Sequence, residues 1–215
     1  MNKYQKKLII IGDSGVYGWG DQEGGGWCER LRQKWLRLEN APIIYSLGVR
    51  GDGLEKVAKR YKNEWETRGE LRRKVPEGLL ISVGLNDTAR IGREDGRPQL
   101  SEDAFKFGFK KLVNEITKEV DVMVLGLTPV NEASMPFAEC LWYSNKSCSI
   151  YERKIEEVCL ELNIPFLSIH EKMINLLSFK NLLSSDGIHL NTEGHKWIYN
   201  QISEWEALIN WANLK

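Results

Sequence analysis

The chain has few cysteines: four among 215 residues, at Cys28, Cys140, Cys148 and Cys159. They show neither the CxxC spacing of metal and redox sites nor the density of a disulfide scaffold. We therefore interpret each cysteine as a small core or surface thiol and expect neither a disulfide framework nor a bound metal. This cysteine usage favours a reducing, cytoplasmic location.

The chain also lacks net charge and long apolar runs. The 30 Lys and Arg residues balance 30 Asp and Glu residues, so no net field attracts nucleic acid or an anionic membrane. No stretch approaches the roughly 20 apolar residues that a transmembrane helix needs. The N-terminal sequence MNKYQKKLIIIG has the basic start of a signal peptide, but its apolar run is too short. We expect a soluble protein without a transmembrane segment or a nucleic-acid partner.

Short apolar runs alternate with amphipathic helical patterns along the chain. The runs end at glycine, proline or polar residues and predict strands at residues 8–11, 43–47, 79–83, 122–127 and 164–167. Alternation with short connections predicts a parallel sheet with helices on both faces. The length suits one domain, residues 1–215. The predicted fold class is α/β: a three-layer α/β/α sandwich with a five-stranded parallel sheet of flavodoxin-like order 2-1-3-4-5.

Apolar residues at helical spacing predict helices between the strands, and two of the connections have no regular pattern. Apolar residues at helical spacing predict a helix after the first loop: Trp27, Leu31, Trp35 and Leu38. A similar stripe predicts one last helix from about Asn191, with a single apolar face: Ile198, Ile202, Trp205 and Ile209. Residues 88–100 and 131–147 are predicted to be irregular connections, and the second is rich in bulky side chains.

The first predicted strand runs into a sharp turn that carries a hydroxyl group. Residues 8–15 read LIIIGDSG, in which apolar β-branched residues predict a strand buried on both faces and glycines flank Asp13 and Ser14. Such a turn lies at the carboxyl edge of the sheet, where open α/β folds bind their ligands. Ser14 is therefore the candidate nucleophile, and Asp13 is interpreted as a turn and hydrogen-bonding residue.

A serine hydroxyl needs a base to take its proton, and the chain has three histidines. His189 lies in the motif Asp186-Gly187-Ile188-His189, before the last predicted helix. A carboxylate three residues ahead can hold the imidazole through Nδ1, which leaves Nε2 for the serine. The alternative is that Asp186 only starts a turn and His189 lies on the surface. His170 and His195 are expected in packing or surface roles, although a loop near the sheet edge would bring His170 to the mouth of the site.

Acyl transfer also needs hydrogen-bond donors for the oxyanion, and three candidates follow the first three strands. They are the backbone N–H of Ser14, the backbone N–H of Gly48 and the side-chain amide of Asn86. In the predicted strand order these three strand ends meet at one edge of the sheet. The alternative for Gly48 and for Asn86 is a simple turn, and Asp87 is interpreted as support for the loop that carries Asn86.

The chain resembles the GDSL/SGNH hydrolase family (GDSL-like lipase/acylhydrolase) in four ordered blocks: Gly12-Asp13-Ser14, Gly48, Gly84-Leu85-Asn86-Asp87 and Asp186-Gly187-Ile188-His189. The resemblance extends over residues 9–197. It implies an α/β/α esterase or lipase with Ser14 as nucleophile, His189 as base and Asp186 as orienting acid. It also implies an oxyanion hole of Ser14, Gly48 and Asn86. Gly15 departs from the family pattern, which has leucine there, and this difference bears on local packing.

The predicted reaction is two-step hydrolysis of a small-molecule ester through an acyl-enzyme, for which no metal or organic cofactor is needed. Trp19, Trp142 and Tyr143 are candidate substrate-binding residues, because bulky side chains above the sheet edge can cover an acyl chain. The alternative is that the bulky residues of 131–147 close the core. A second function class is a non-catalytic small-molecule-binding module of flavodoxin-like fold, although the first loop has no GxGxxG or GxxxxGK[ST] phosphate cradle. The sequence favours no particular oligomeric state.

Overall fold

The computed structural model describes residues 5–69 and 75–214, so the first four residues of the basic N-terminal segment lie outside the described residues. The strands, in chain order, are β1 Lys7–Gly12, β2 Ile43–Gly48, β3 Gly78–Ser82, β4 Arg90–Ile91, β5 Asp121–Leu125, β6 Leu141–Trp142 and β7 Phe166–Leu167. Five of them form a parallel sheet in the order β2-β1-β3-β5-β7. Taken in chain order these five strands have the order 2-1-3-4-5, so the predicted fold class and strand order are confirmed.

The helices lie on both faces of this sheet. They are α1 Ser14–Tyr17, α2 Trp27–Leu36, α3 Leu54–Thr67, α4 Leu85–Thr88, α5 Glu102–Ile116, α6 Asn145–Glu161, α7 His170–Ile174, α8 Thr192–Ser203 and α9 Glu206–Ala212. Helices α3, α5 and α6 pack against one face, and α2, α8 and α9 pack against the other. The result is the predicted three-layer sandwich.

The interior strand β1 explains why the core has two halves. Successive side chains of a strand point to opposite faces. Ile9 and Ile11 accordingly belong to the core under α3, α5 and α6, whereas Leu8 and Ile10 belong to the core under α2, α8 and α9. All four side chains are fully buried. A strand covered on both faces therefore reads as an unbroken apolar run.

Two predicted elements are shorter than expected. Helix α2 ends at Leu36, and Leu38, which was placed on its apolar stripe, is exposed. The last sheet strand begins at Phe166 because the N–H of Ile164 donates to the Cys159 carbonyl (2.8 Å) at the end of α6. Pro165, between them, has no N–H to donate to a neighbouring strand.

The last predicted helix is in fact two helices. Trp205 has extended backbone angles (φ −71°, ψ 111°) and separates α8 from α9. The change of direction buries Leu208 and Ala212, which lie one helical turn apart, whereas Ile209 is only half-buried. The prediction that Ile209 shares one continuous apolar face with Ile198 is therefore wrong.

The two connections that were predicted to be irregular contain a small antiparallel ribbon. Strand β4 in the first connection pairs with β6 in the second, so that Arg90 lies opposite Trp142. The second connection also holds a 3₁₀ helix, Glu132–Ser134. No helix within residues 5–69 and 75–214 has both the length and the apolar character needed to cross a bilayer.

Candidate active site

Ser14 lies at the carboxyl edge of the sheet, where β1 gives way to α1. Asp13 caps this helix, because its side chain accepts a hydrogen bond from the N–H of Gly15 at 2.8 Å. Gly12 allows β1 and β3 to approach closely just before the turn, since a Cβ atom there would lie 2.0 Å from the Ser82 carbonyl oxygen. The sequence Gly-Asp-Ser-Gly therefore holds the Ser14 hydroxyl at a fixed point of the edge.

The structure brings Ser14, His189 and Asp186 into one row of hydrogen bonds. His189 Nε2 lies 3.0 Å from Ser14 Oγ, and His189 Nδ1 lies 2.7 Å from Asp186 Oδ2. The other oxygen of Asp186 accepts the backbone N–H groups of Ile188 (2.9 Å) and His189 (3.0 Å). The loop can close this tightly because Gly187 adopts a positive φ of 76°.

The charge of Asp186 determines which tautomer of the His189 imidazole is favoured. Burial alone would raise the pKa of Asp186, but the hydrogen bond from His189 and the two backbone N–H donors outweigh this effect and lower the pKa to about 2. Asp186 is thus ionised at neutral pH. A carboxylate facing Nδ1 favours the tautomer with its proton on Nδ1, so Nε2 carries a lone pair toward the Ser14 hydroxyl.

The backbone N–H groups of Ser14 and Gly48 make no hydrogen bond within α1 or between β1 and β2. Ser14 is the first residue of α1, and its N–H has no acceptor within that helix. The N–H of Val49 donates to the Gly12 carbonyl (3.0 Å), and the alternation of a parallel ladder then directs the N–H of Gly48 away from β1. Gly48 also packs on α1, since a Cβ atom there would lie 2.0 Å from the Tyr17 nitrogen.

Asn86 reaches the same edge from the turn after β3. Its Nδ2 donates to Asp13 Oδ2 (3.3 Å) and to the Asp52 carbonyl (3.1 Å). The hydroxyl of Tyr143 donates to Asn86 Oδ1 at 3.4 Å. These contacts orient the amide with its N–H groups toward the residue that precedes Ser14. The three predicted donors of Ser14, Gly48 and Asn86 thus come from neighbouring strand ends.

Two further carboxyl groups are buried around the amide of Asn86. Burial raises the pKa of Asp13 to about 6, although the hydrogen bond from the Gly15 N–H and the nearby His189 favour its charged form. Burial also raises the pKa of Asp87 to about 7, and repulsion by Asp13 adds to the rise. Both oxygens of Asp87 accept the N–H of Leu54, at 3.1 and 3.0 Å. Asp87 therefore ties the loop of Asn86 to the start of α3.

Asp52 and Arg60 connect this region to the end of β1, and the sequence reasoning did not single out either residue. Arg60 Nε donates to the buried Asp52 carboxylate at 2.8 Å, and a second nitrogen of Arg60 donates to the Gly12 carbonyl at 2.8 Å. The Asp52 carbonyl in turn accepts from Asn86. The only sequence signal was an aspartate between Gly51 and Gly53.

The candidate substrate-binding residues differ in how close they lie to His189. The ring of Trp19 lies 6.2 Å from the His189 ring between centroids, edge to face. Phe137, one of the bulky residues of 131–147, was not singled out from the sequence. Its ring lies 5.8 Å from the His189 ring and 6.4 Å from the ring of Tyr143, between centroids. Trp142 lies on the ribbon, and within the described residues no ring contact or hydrogen bond joins it to His189.

The other two histidines have structural surroundings. His195 is fully buried, its Nδ1 accepts the N–H of Trp27 (3.2 Å), and its Nε2 donates to the Trp19 carbonyl (3.0 Å). His170 is also buried, at the start of α7. His170 therefore does not lie at an open mouth of the site. In residues 5–69 and 75–214, no three side chains of His, Cys, Asp or Glu come together in a group that could hold a metal ion.

Comparisons with known proteins show which family the chain resembles. The model of the GDSL-like Lipase/Acylhydrolase family matches residues 10–197. Two GDSL esterase/lipase proteins of Arabidopsis thaliana are 23% identical over 141 residues and 22% identical over 153 residues. The matches cover 60% and 65% of this chain, and 58% and 60% of the two relatives. The match thus spans about three fifths of the length of these curated relatives.

Solved structures share the fold over nearly the whole chain. A lipase/acylhydrolase from Enterococcus faecalis has a TM-score of 0.72 at 19% identity, with coverage of 92% of this chain and 93% of that chain. The psychrotrophic esterase EstA from Pseudoalteromonas sp. has a TM-score of 0.71 at 16% identity, with coverage of 97% and 100%. The acetylxylan esterase Axe2 from Geobacillus stearothermophilus has a TM-score of 0.70 at 16% identity, with coverage of 94% of each chain. At these identities the likeness establishes the fold.

Proposed function

We propose that this chain, which belongs to the GDSL-like lipase/acylhydrolase family, hydrolyses carboxylic esters with Ser14 as nucleophile, His189 as general base and Asp186 as the residue that orients His189. The observation that carries the proposal is the row of hydrogen bonds from Asp186 through His189 to Ser14, at 2.7 and 3.0 Å. In such a row the carboxylate orients the imidazole and the imidazole takes the proton of the serine hydroxyl. The names of the similar proteins, esterases and lipases, support the same class of reaction.

In the proposed first step, Ser14 Oγ attacks the ester carbonyl carbon while His189 Nε2 takes the hydroxyl proton. The bond between the carbonyl carbon and the alcohol oxygen breaks, and the alcohol leaves with the proton from His189. In the second step a water molecule gives a proton to His189 and attacks the acyl-enzyme, which releases the acid and restores the Ser14 hydroxyl. Asp186 stays ionised throughout and stabilises the imidazolium in both steps.

The negative charge that develops on the carbonyl oxygen is proposed to meet the N–H of Ser14 and Nδ2 of Asn86. The N–H of Gly48, the third donor expected from the sequence, is directed away from β1 and lies on the outer side of the edge strand β2. In acyl transfer the loss of one such donor costs about 2.7–4 kcal/mol of transition-state stabilisation. The contact between Asn86 Nδ2 and Asp13 is long, at 3.3 Å, so an oxyanion that forms nearby can replace it with a shorter, stronger hydrogen bond.

The walls of the site are proposed to be aromatic. Trp19 and Phe137 both contact the His189 ring, and Tyr143 packs on Phe137 while it holds the amide of Asn86. We propose that Trp19, Tyr143 and, next to it in the chain, Trp142 line the path of the substrate. Apolar aromatic walls with a few polar groups are typical of pockets for small organic molecules.

Steady-state hydrolysis of p-nitrophenyl esters with acetyl, butyryl and octanoyl groups tests this proposal. We expect Ser14→Ala to reduce kcat/KM by about 10³-fold or more, because the nucleophile is lost. Ser82→Ala is the matched control, since Ser82 lines the same cleft and has no proposed role in the reaction. Its kcat/KM is expected to stay within about fivefold of the unmodified protein.

Two results would contradict the proposal. One is hydrolysis by Ser14→Ala at the rate of the unmodified protein. The other is an unmodified protein no faster than buffer on all three esters, which would favour a binding module without turnover. For an active enzyme the acyl-chain preference then separates an acetylesterase from a lipase.

A further inference from the structure

Arg50 contacts Trp19, which lines the cleft of the proposed site, and takes no part in the reaction described above. Arg50 follows Gly48 by two residues, in the exposed loop between β2 and α3. The next residue, Gly51, has a positive φ of 75°, and a Cβ atom there would have no neighbour within 4 Å. The loop therefore makes an open turn at this point, and the Arg50 side chain is exposed to solvent.

The guanidinium group of Arg50 is held against an aromatic ring. Its Cζ atom lies 3.4 Å from the centroid of the Trp19 ring. At this distance the flat guanidinium must lie face to face with the ring, because an edge-on approach would push one of its nitrogens into the ring. Cation–π attraction holds the pair together. The same Trp19 ring makes a T-shaped contact with the His189 ring, so Arg50 is one aromatic ring away from the proposed general base.

The backbone of Trp19 is held in place by two hydrogen bonds. Its carbonyl accepts the Nε2–H of the fully buried His195 at 3.0 Å, and the N–H of Trp19 donates to the Ser14 carbonyl at 3.0 Å. The segment that carries Trp19 is therefore tied both to the core and to the nucleophile turn. Stacking on the Trp19 ring restricts the long Arg50 side chain. This restriction lowers the entropy cost when Arg50 contacts a ligand.

The positive charge of Arg50 has no carboxylate partner within residues 5–69 and 75–214. Asp52, two residues away along the chain, is buried and accepts from Arg60 at 2.8 Å, with Lys56 at 3.9 Å. A stacked guanidinium keeps its N–H donors free at its edge. That edge matches the oxygens of a carboxylate or a phosphate, which arginine binds in a bidentate manner.

We propose that Arg50 selects esters that carry an anionic oxygen group, a carboxylate or a phosphate, close to the ester bond. This inference rests on the proposed ester hydrolase function. The stacked pair of Arg50 and Trp19 binds the anionic end of the substrate while the ester carbonyl reaches Ser14. Arg50 is thus a specificity-determining residue and takes no part in proton transfer.

Pairs of anionic and neutral esters of equal size test the proposal. On the alcohol side, 4-acetoxybenzoate is compared with 4-acetoxybenzamide. In a second arm, 4-acetoxyphenyl phosphate is compared with the same neutral ester, 4-acetoxybenzamide. On the acyl side, monoethyl glutarate is compared with ethyl 4-carbamoylbutanoate. The quantity measured is the ratio of kcat/KM for the anionic ester to kcat/KM for its neutral partner. The three arms distinguish a carboxylate from a phosphate and the alcohol side from the acyl side.

We expect the unmodified enzyme to prefer the anionic ester by at least about fivefold in one arm, and Arg50→Gln to remove this preference through a higher KM. Hydrolysis of the neutral ester should change less than about twofold, which also shows that the variant is folded. Arg50→Lys should retain part of the preference, because it keeps the charge and loses the planar fork. The matched control is Arg37→Gln, which removes one positive charge from the exposed end of α2, and it should leave the ratio unchanged.

The proposal is overturned if Arg50→Gln leaves the ratio unchanged in every arm, or if Arg37→Gln lowers it equally, since the effect would then be one of net charge. It is also overturned if the unmodified enzyme prefers no anionic ester. Reaction of the same preparation with a fluorophosphonate tests the hydrolase function separately from the role of Arg50. An enzyme that reacts but shows no anion preference contradicts only the role of Arg50, whereas one that neither reacts nor hydrolyses any ester contradicts the hydrolase function as well.

Discussion

The carboxyl groups near Ser14 differ in pKa because their surroundings differ. Asp186 receives hydrogen bonds from His189 and two backbone N–H groups, and its pKa falls to about 2. Asp13 and Asp87 are more deeply buried, and desolvation raises their pKa values to about 6 and about 7. The same residue type can therefore orient a histidine in one place and support a loop in another. Only Asp186 faces the imidazole through its side chain.

The buried carboxyl of Asp87 predicts a pH-dependent stability. Its pKa is about 7 in the folded protein against an ordinary value of 3.8, so the folded protein binds this proton more tightly than the unfolded chain. The contribution to stability is therefore present below pH 3.8 and is lost as the pH rises toward 7. Asp87→Asn removes the titration but keeps an oxygen for the N–H of Leu54. From pH 5 to pH 8, we expect its free energy of unfolding to rise relative to the unmodified protein by on the order of 2 kcal/mol.

Urea unfolding at the two pH values measures this difference. Asp95→Asn is the control, because Asp95 lies in an exposed loop and should show the same difference at both pH values. The free energy of unfolding of Asp87→Asn, relative to the unmodified protein, is expected to be higher at pH 8 than at pH 5. An equal difference at the two pH values, or a larger one at pH 5, would contradict the assignment of the buried charge to Asp87.

Residues close together along the chain were easier to predict than residues joined by loops. The three-residue spacing of Asp186 and His189 is enough to indicate their contact. The contact of Phe137 with His189 and the stacking of Arg50 on Trp19 depend on the paths of two loops that have no regular pattern. The sequence therefore predicts which residues could react, whereas the walls of the site appear only in the folded chain.

At the scale of elements, the site depends on the junction between β1, α1 and β2. Helix α1 has four residues and begins with Ser14, so a small displacement of this helix moves the nucleophile directly. Gly48 at the end of β2 is the point of closest approach, because a Cβ atom there would lie 2.0 Å from the Tyr17 nitrogen. The contact is with backbone, which cannot move aside as a side chain can.

Gly48→Ala is therefore expected to displace α1. We predict a decrease of about 1–3 kcal/mol in the free energy of unfolding, as for an overpacked core, and a decrease in kcat/KM of more than about tenfold. Gly15→Ala is the matched control in α1, because its Cβ atom would meet only the Asp13 side chain, at 3.3 Å. Its stability should change by less than about 1 kcal/mol and its activity should persist. Equal effects of the two substitutions would contradict the role assigned to the Gly48 contact.

Element boundaries were predicted where a local signal exists and missed where packing decides. The strands of the sheet were found because each is an apolar run that ends at a turn. The break at Trp205 was missed, since the alternation of apolar residues there fits one helix as well as two. It is the burial of Leu208 and Ala212 against the core that selects two helices. Likewise the ribbon of β4 and β6 has only two residues in each strand and leaves no pattern.

At the scale of the whole molecule, the three-layer fold buries most of the thiols. Cys28, Cys148 and Cys159 are buried, Cys140 is exposed, and all four are free. Burial raises the pKa of each of the three buried thiols to about 12, which suppresses the reactive thiolate. The fold therefore predicts one reactive cysteine in the native protein.

Titration with Ellman's reagent tests this distribution. We expect one thiol to react rapidly in the native protein, four to react in guanidinium chloride, and the rapid reaction to disappear in Cys140→Ser. Rapid reaction of a second thiol would contradict the packing of helices on the sheet. Fewer than four thiols after denaturation without a reducing agent would indicate a disulfide.

The central claim is that the fold joins distant segments so that the hydroxyl of Ser14 becomes a nucleophile. The most direct measurement is the intact mass after reaction with a fluorophosphonate, followed by peptide mapping of the adduct. We predict one adduct per chain, located on Ser14, for the unmodified protein and for Ser82→Ala, and no adduct for Ser14→Ala. An unmodified protein that forms no adduct, or an adduct that persists in Ser14→Ala, would contradict the account.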